Sequence, residues 1–438
     1  MPNTLINTAV ITLGCPKNTA DTESVIAELD DICVFSNIEE AEIVILNSCA
    51  FLESARNEVY ENLEKLEDKK VVLIGCLTTA LKQDFFDKYP QVKAIVSPVN
   101  YPHIREIIRY VGEGAIVYQV DDEPLKYVNM PGKLLITPPG YAYIKIAEGC
   151  NNACAFCLIP KLRGRYRSRP MEPIIEEIKE LIKIGVKEIV LVAQDSGCYG
   201  VDLYKKKSLV ALLKKIIAIK DDFWVRVLYV YPERINDELL TLMAESDKIC
   251  KYLDIPLQHG DPAILKAMLR PYDVKKTIEK IKNIRKIIPD VTLRTSLIAG
   301  FPGETESNFK NLLSFIKKID FDHVGVFEYS REKGTEAYKA KKQIPDKTKR
   351  ERHKKAMLVQ QKISSDKNKK FIGSTQKVLI DGFDPELNKY IGRTQHFAPE
   401  VDGVVIIKSS KKLKSGSFYK VKITDAGEYD LFGSLSEL

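Results

Sequence analysis

Tyr141-Ala142-Tyr143-Ile144-Lys145-Ile146 leads through Ala147 into Glu148-Gly149-Cys150-Asn151-Asn152-Ala153-Cys154-Ala155-Phe156-Cys157. The first six residues read as a strand, and three cysteines follow at spacing C-x3-C-x2-C. A strand that ends in a cysteine-bearing loop presents its thiolates at the carboxyl edge of a sheet. Three soft ligands within eight residues can hold one metal centre and leave a coordination position open for chemistry, whereas structural zinc sites close with four protein ligands. Thiolates are also the usual ligands of iron–sulfur clusters. Spacing alone leaves both readings standing, because soft thiolates select zinc as readily as iron–sulfur centres.

Outward from this loop, a β-then-α rhythm continues toward the carboxyl terminus. Tyr141–Ile146, Glu188–Ala193, Val225–Val230, Tyr252–Pro256, Leu293–Ala299 and Val324–Tyr329 read as strands, separated by helical stretches such as Glu172 to Ile184, Ser208 to Ile219 and Val274 to Ile288. Six such units predict a parallel partial (β/α)6 barrel, a fold that carries its chemistry at the carboxyl ends of the strands. The residues expected there are polar: Gln194-Asp195, Tyr231-Pro232-Glu233, Gln258-His259 and Glu328-Tyr329-Ser330. His259 reads as a hydrogen-bonded lining residue, and Cys198 and Cys250 as spare thiols.

Toward the amino terminus one device repeats. Ala9–Leu13 runs into Gly14-Cys15, Glu42–Leu46 into Asn47-Ser48-Cys49, and Lys70–Ile74 into Gly75-Cys76. These apolar, β-branched runs read as buried strands of a parallel sheet, with helical patterns over Asp21 to Leu29 and Ser54 to Lys65 between them. Ligands of such a sheet bind beyond the carboxyl ends of its strands, so Cys15, Cys49 and Cys76 converge on one edge although they lie 34 and 27 positions apart. A single buried cysteine packs like a small hydrophobe. Three at the ends of three successive strands predict a second metal cluster. No G-x-G-x-x-G follows the first strand, which removes support for a dinucleotide fold. Cys33 fits no such position and reads as core. Pro131 to Gly140, punctuated by Pro and Gly, reads as a boundary, giving expected domains of 1–130, 131–370 and 371–438.

Composition is that of an ordinary globular chain, 45% hydrophobic and 29% charged over 438 residues. There is no apolar run near membrane-spanning length, and Met1-Pro2-Asn3-Thr4 lacks the start of a signal peptide, so a cytoplasmic protein without membrane contact is expected. Nine cysteines in such a chain read as metal ligands or buried thiols. The net charge of +7 is uneven: Lys339 to Lys370 holds 13 Lys/Arg against 3 Asp/Glu. A solvated basic helix starting at Pro345 is the default reading, with docking on an RNA-containing particle as the alternative. From Phe371 to Leu438 the patterning switches to period two (Gln376–Ile380, Val404–Ile407, Tyr419–Ile423), predicting a small antiparallel barrel of about five strands. Its 9 Lys/Arg and 9 Asp/Glu leave it neutral, a poor tracker of phosphates.

The triad, with Phe156 just before its last cysteine, resembles the signature of the radical S-adenosylmethionine (SAM) enzymes. Gly14-Cys15-Pro16-Lys17-Asn18, Asn47-Ser48-Cys49 and Gly75-Cys76-Leu77 resemble the amino-terminal domain of their methylthiotransferase family, and the last module resembles a TRAM domain. The resemblance covers nearly the whole chain and implies two [4Fe-4S] clusters: one on Cys150, Cys154 and Cys157, whose open iron chelates SAM, and one on Cys15, Cys49 and Cys76 used in delivering sulfur. It implies SAM cleavage to a 5′-deoxyadenosyl radical, hydrogen abstraction from the substrate, and transfer of a methylthio group. Phe156 is then expected near the adenine, with Gln194 at a strand end also expected to bind SAM. The turn Gly300-Phe301-Pro302-Gly303-Glu304-Thr305 is read either as plain turn chemistry or as backbone approaching SAM through Gly300 and Gly303. The loop Lys161 to Pro170, with Arg163, Arg165, Arg167 and Arg169, is expected to neutralise the anionic centre beside it.

Two branches of the family compete, one acting on an adenosine of transfer RNA and one on the β-carbon of an aspartate in small-subunit ribosomal protein twelve. Gly14-Cys15-Pro16-Lys17-Asn18, Tyr229-Val230-Tyr231-Pro232, Asp254 to His259, Gly392-Arg393-Thr394 and Ala398 to Gly403 favour the second, as does the neutral barrel; Thr19-Ala20 and Ala50 depart slightly from the common pattern. An electron donor such as flavodoxin or ferredoxin and a sulfur source are implied partners, and nothing requires more than a monomer. A zinc-stabilised RNA-binding protein is the alternative of a different class.

Overall fold

The computed structural model describes residues 5–121, 127–130, 132–270 and 272–436. The expectation drawn from Met1–Thr4 and the first residue of the boundary segment, Pro131, lie outside them. Two compact units are present. The first holds the amino-terminal chain to Thr137 together with Lys145–Ala153 and Cys157–Pro170; the second holds Pro138–Ile144, Cys154–Phe156 and everything from Met171.

The first unit is built on a six-stranded, all-parallel sheet. Its strands are β1 (Ile6–Thr12), β2 (Cys33–Phe35), β3 (Ile43–Ser48), β4 (Lys70–Gly75), β5 (Val92–Val96) and β6 (Val117–Gln119), in the order β2-β1-β3-β4-β5-β6. Every residue of β3 and all but the first of β4 are buried, which is why their sequences are unbroken apolar runs rather than alternations. Successive side chains feed opposite cores: Val44, Leu46, Val71 and Leu73 pack on one face, Ile43, Ile45, Val72 and Ile74 on the other. The order reverses between β1 and β3, and that switch point is where ligands of open α/β sheets bind. β2, β5 and β6, with three to five residues each, are too short to stand out by periodicity. A small antiparallel pair, β8 (Ala147–Glu148) with β9 (Arg167–Ser168), flanks the second cysteine loop.

The second unit contains β7 (Tyr141–Lys145, whose last residue belongs to the first unit), β10 (Glu188–Val192), β11 (Trp224–Val227), β12 (Tyr252–Asp254), β13 (Thr292–Ala299) and β14 (His323–Glu328). They form two three-stranded sheets, β11-β10-β7 and β12-β13-β14. Backbone bonds bridge the two halves, from Val230 N to Asp254 O (2.9 Å) and from Cys250 N to Val225 O (2.9 Å). The six strands expected from the sequence are all present, with ends displaced by at most three residues.

The helix Asp346–Asn368 follows. Contrary to the solvated default, it buries a polar stripe of Lys349, Arg352, Gln360, Ser364 and Asn368 around Ala356, and Gln360 Nε2 donates to Phe321 O at 2.9 Å. Strands β15 (Thr375–Asp384), β16 (Lys389–Arg393), β17 (Val405–Lys408), β18 (Phe418–Ala426) and β19 (Leu431–Leu435) then close a barrel. It is not wholly antiparallel as expected, because β17 and β19 pair in parallel.

This barrel packs against the amino ends of the six strands. Tyr141 and Tyr143 at the start of β7 donate to the two carboxylate oxygens of Glu400 (2.9 and 3.0 Å), and Tyr252 at the start of β12 donates to Asp402 (2.6 Å). Thr292 Oγ1, opening β13, lies 2.7 Å from His396 Nδ1. Glu188, opening β10, takes Arg226 at 2.7 Å on one oxygen and Arg393 on the other. Among the described residues no helix is long and apolar enough to cross a membrane.

Candidate metal centres

Cys15, Cys49 and Cys76 follow β1, β3 and β4, so all three stand at the carboxyl edge of the first unit's sheet, beside the switch point. The loops are in contact. A Cβ on Gly14 would sit 2.9 Å from Cys49 Cβ and 3.2 Å from its Sγ, while one on Gly75 would fall 2.3 Å from Asn47 Oδ1 and Ser48 O. Both glycines have φ near +100°, so only glycine lets each chain reach its cysteine this way. Asn18 ties the loops together: its Nδ2 donates to Leu13 O (2.8 Å) and Ser48 O (3.1 Å). Asn47 Nδ2 returns a bond to Asn18 O (2.9 Å). Burial pushes the Cys49 thiol up to about 11, and the neighbouring Cys76 and Cys15 push the same way. Burial likewise raises Cys76, with the Arg163 guanidinium pulling it back down. Such a set needs positive charge at its centre to hold three thiolates, which is what an iron–sulfur cluster brings.

Behind Cys76 lies a buried charge network within the same unit. Arg163 donates from Nε to Cys76 Sγ (3.0 Å), from Nη2 to Asn18 Oδ1 (3.0 Å), and from Nη1 to Asp21 Oδ2 (2.7 Å) and Glu148 Oε2 (3.4 Å). Lys17 pairs with Glu148 Oε1, and Lys145 bridges Asp21 and Glu148. Burial alone would raise the Glu148 carboxyl, yet Lys17, Lys145 and Arg163 hold it well below the usual carboxylate range. Burial would lower Arg163, but Cys76, Glu148 and Asp21 keep it well above its usual value. Among these five groups three are cationic and two anionic.

In the second cysteine loop, Cys150 Sγ accepts from Asn152 N (3.4 Å) and Asn152 Nδ2 (3.3 Å), and Cys157 Sγ accepts from Ile159 N (3.4 Å). Backbone N–H groups aimed at sulfur suit thiolate ligands of iron–sulfur clusters, whose potentials such bonds help set. Cys154, Ala155 and Phe156 belong to the second unit. Ala155 N donates to Met268 O (3.0 Å) and Ala155 O accepts from Ala337 N (2.8 Å). Phe156 packs against a cluster that includes Ile298, Phe301 and Tyr329. Gln194 stands just past the carboxyl end of β10 in the second unit, half-buried.

Gly300 and Gly303 both have positive φ. The close approach at Gly300 is made by Lys349, whose Cγ would lie 2.5 Å from a Cβ there. The turn is stapled by the buried Glu304, which accepts from Gly300 N (3.2 and 3.1 Å), faces His259 Nε2 (3.1 Å) and pairs with Arg352 Nη1 (2.7 Å). His259 is thus a buried, hydrogen-bonded residue. Cys33 and Cys250 are buried, and Cys198 Sγ donates to Asp195 Oδ2 (3.2 Å).

One arginine of the loop departs from the expectation. Arg163 serves Cys76, from the other cysteine set; Arg167 caps the carbonyls of Arg165 and Arg163 (3.0 and 3.1 Å), and Arg169 Nε donates to Asn129 (2.7 Å). Sequence reading also missed Asp21, Glu148 and Arg270. Arg270 lies 4.1 Å over the Tyr231 ring, and its Nε and Nη1 are buried with no hydrogen-bond partner among the described residues. Its distance from Cys154 in sequence, 116 positions, hides the fact that the two act on each other electrostatically. Among the described residues no three His, Cys, Asp or Glu side chains are placed so that they could hold one metal ion between them.

Comparison with known proteins defines the class first. Residues 144–316 match the Radical SAM superfamily, residues 372–435 the TRAM domain, and residues 7–97 the Uncharacterized protein family UPF0004. The chain is therefore a radical SAM protein with an amino-terminal α/β domain and a TRAM barrel. Proteins named ribosomal protein uS12 methylthiotransferase RimO match it end to end: that of Thermoanaerobacter sp. (strain X514) is 43% identical over 98% of this chain and 99% of its own. Those of Aquifex aeolicus (42%; 98% and 97%) and Clostridium acetobutylicum (40%; 97% of each) match as fully. The chain belongs to the RimO family of methylthiotransferases. It is thereby a transferase, and the zinc-stabilised RNA-binding alternative falls away. A solved structure of the radical SAM methyltransferase TsrM from Kitasatospora setae is 14% identical with TM-score 0.54 over 85% of this chain and 80% of that one, a likeness of fold alone.

Proposed function

We propose that this protein adds a methylthio group to the β-carbon of an aspartate in ribosomal protein uS12, acting in the cytoplasm as a monomer. The observation that carries this reading is full-length identity of 40–43% to proteins named for that activity, with both cysteine sets in place. The transfer-RNA branch remains the second reading, without comparable support.

Cys150, Cys154 and Cys157 hold one [4Fe-4S] cluster and Cys15, Cys49 and Cys76 the other. Phe156, Gln194, Gly300 and Gly303 line the SAM site. When bound, the two clusters and SAM supply a reductively generated carbon radical and the sulfur to be transferred. The protein's task is positioning and exclusion of side reactions. Glu148 and Asp21 hold the cationic side chains behind Cys76 in place. Asn18 and Asn47 fix the three thiols of the first set relative to one another, and Ala155, held by Met268 and Ala337, fixes the middle of the second cysteine loop. A flavodoxin or ferredoxin supplies the electron, and a separate sulfur source replenishes the cluster on Cys15, Cys49 and Cys76.

Mass spectrometry after anaerobic reaction with SAM and reductant tests this. One methylthio group gained by uS12 is the expected result; modification of transfer RNA alone would overturn the assignment of branch.

A further inference from the structure

We propose that Arg163 tunes the iron–sulfur cluster on Cys15, Cys49 and Cys76, by donating a charged hydrogen bond to the Cys76 ligand that stabilises the cluster's reduced state. The inference rests on the cysteine assignment made above.

Arg163 is among the largest side chains to be fully buried, and removal of a guanidinium from water is costly unless its charge is met. Asp21 and Glu148 meet that need at Nη1, and Asn18 takes Nη2. The remaining donor, Nε, is turned to a sulfur at 3.0 Å. A neutral thiol is a weak acceptor, so this orientation matches a thiolate, the form in which cysteine binds metal. Charge counting agrees. Lys17, Lys145 and Arg163 face Asp21 and Glu148, leaving one positive charge over, and the group that Arg163 adds to the network is Cys76.

Two of the three ligands are treated differently. Cys49 takes its hydrogen bond from the backbone at Phe51, while Cys76 has the guanidinium. Hydrogen bonds to ligand sulfurs and nearby net charge are among the factors that set a cluster's potential. A cation bonded to one thiolate favours the state carrying more negative charge, so Arg163 raises the potential. The same side chain reaches Glu148, two residues before Cys150, so the residue that adjusts one cysteine set is anchored beside the other.

The full-length chain with Cys150, Cys154 and Cys157 changed to Ala carries only the cluster in question. Iron and sulfide analysis of this parent comes first, and a parent without about four irons would overturn the cysteine assignment itself. With the cluster present, potentiometric titration followed by electron paramagnetic resonance compares the parent with Arg163→Gln and Arg163→Lys. The expected result is a midpoint moved to lower potential in Arg163→Gln, with partial recovery in Arg163→Lys. Unchanged midpoints at full iron content would overturn the inference.

Should the variants fail to fold, the unaltered side chain can be read directly. Parent protein containing ¹⁵N-guanidino arginine should show a ¹⁵N hyperfine coupling to the reduced cluster in pulsed spectra. Absence of that coupling would overturn the inference as well.

Discussion

Lys17 and Glu148 form a buried ion pair 131 positions apart in the chain, joining the residue two past Cys15 to the residue two before Cys150. Burial would lower the Lys17 ammonium, and it does so despite the pull of Glu148 in the other direction. Removal of one partner from a buried pair leaves an uncompensated charge. Lys17→Met should therefore cost about 3 kcal/mol of stability, read as a lower denaturant midpoint at unchanged slope. A midpoint within error of the unaltered protein would mean that Lys145 and Arg163 suffice for Glu148.

The two cysteine sets should separate functionally. Cys154→Ala is expected to abolish SAM cleavage, measured as 5′-deoxyadenosine. Cys49→Ala should leave some cleavage but no methylthio transfer, with iron falling from about eight to about four per chain in each variant. Full methylthiolation by the Cys49 variant would refute the role of the first set.

Arg393 carries the joint between the barrel and the strands of the second unit. It pairs with Glu188 and, through Nε and Nη2, with Asp381 (both 2.8 Å). Arg393→Met should destabilise by about 3 kcal/mol, measured by thermal or chemical unfolding. Arg393→Lys should recover little, because a point charge cannot make the forked contact.

His396 gives the joint a pH dependence. Burial depresses its imidazole to about 4, with Arg226 and His323 acting in the same sense and Asp290 and Asp322 against it. The unfolded chain, at the ordinary value of 6.5, takes up the proton first. Stability contributed by the neutral ring is thus complete above pH 6.5 and is lost on acidification toward pH 4. Between pH 7 and 5 the loss should be about 2 kcal/mol. Denaturant midpoints at those two pH values should differ less for His396→Gln than for the unaltered chain.

Much of this was legible in the chain itself. The runs before Cys15, Cys49 and Cys76 are apolar because both sheet faces are covered, and that pattern reads directly. The six strands of the second unit, the cysteine spacing and the period-two barrel read equally well. Arg163 did not. Its position six residues after Cys157 pointed to the adjacent cysteine set, but its Nε meets Cys76, 87 positions upstream, a pairing that depends on how β8 and β9 fold the loop back. The helix Asp346–Asn368 misled for a related reason: its inward stripe is polar, so hydropathy cannot distinguish it from a solvated face. The parallel pairing of β17 with β19 likewise depends on chain routing rather than on composition.

The barrel's attachment bears on how such chains can recombine. Tyr141, Tyr143, Glu188, Tyr252 and Thr292 on one side meet Arg393, His396, Glu400 and Asp402 on the other, and Arg226 donates to the Gln395 carbonyl (2.9 Å). A barrel grafted from a protein lacking those four residues would leave Glu188 with one cation in place of two and deprive three tyrosine hydroxyls of their carboxylate acceptors. The barrel and the strands beneath it are thus matched at the residue level, and exchange of either one alone should lower stability.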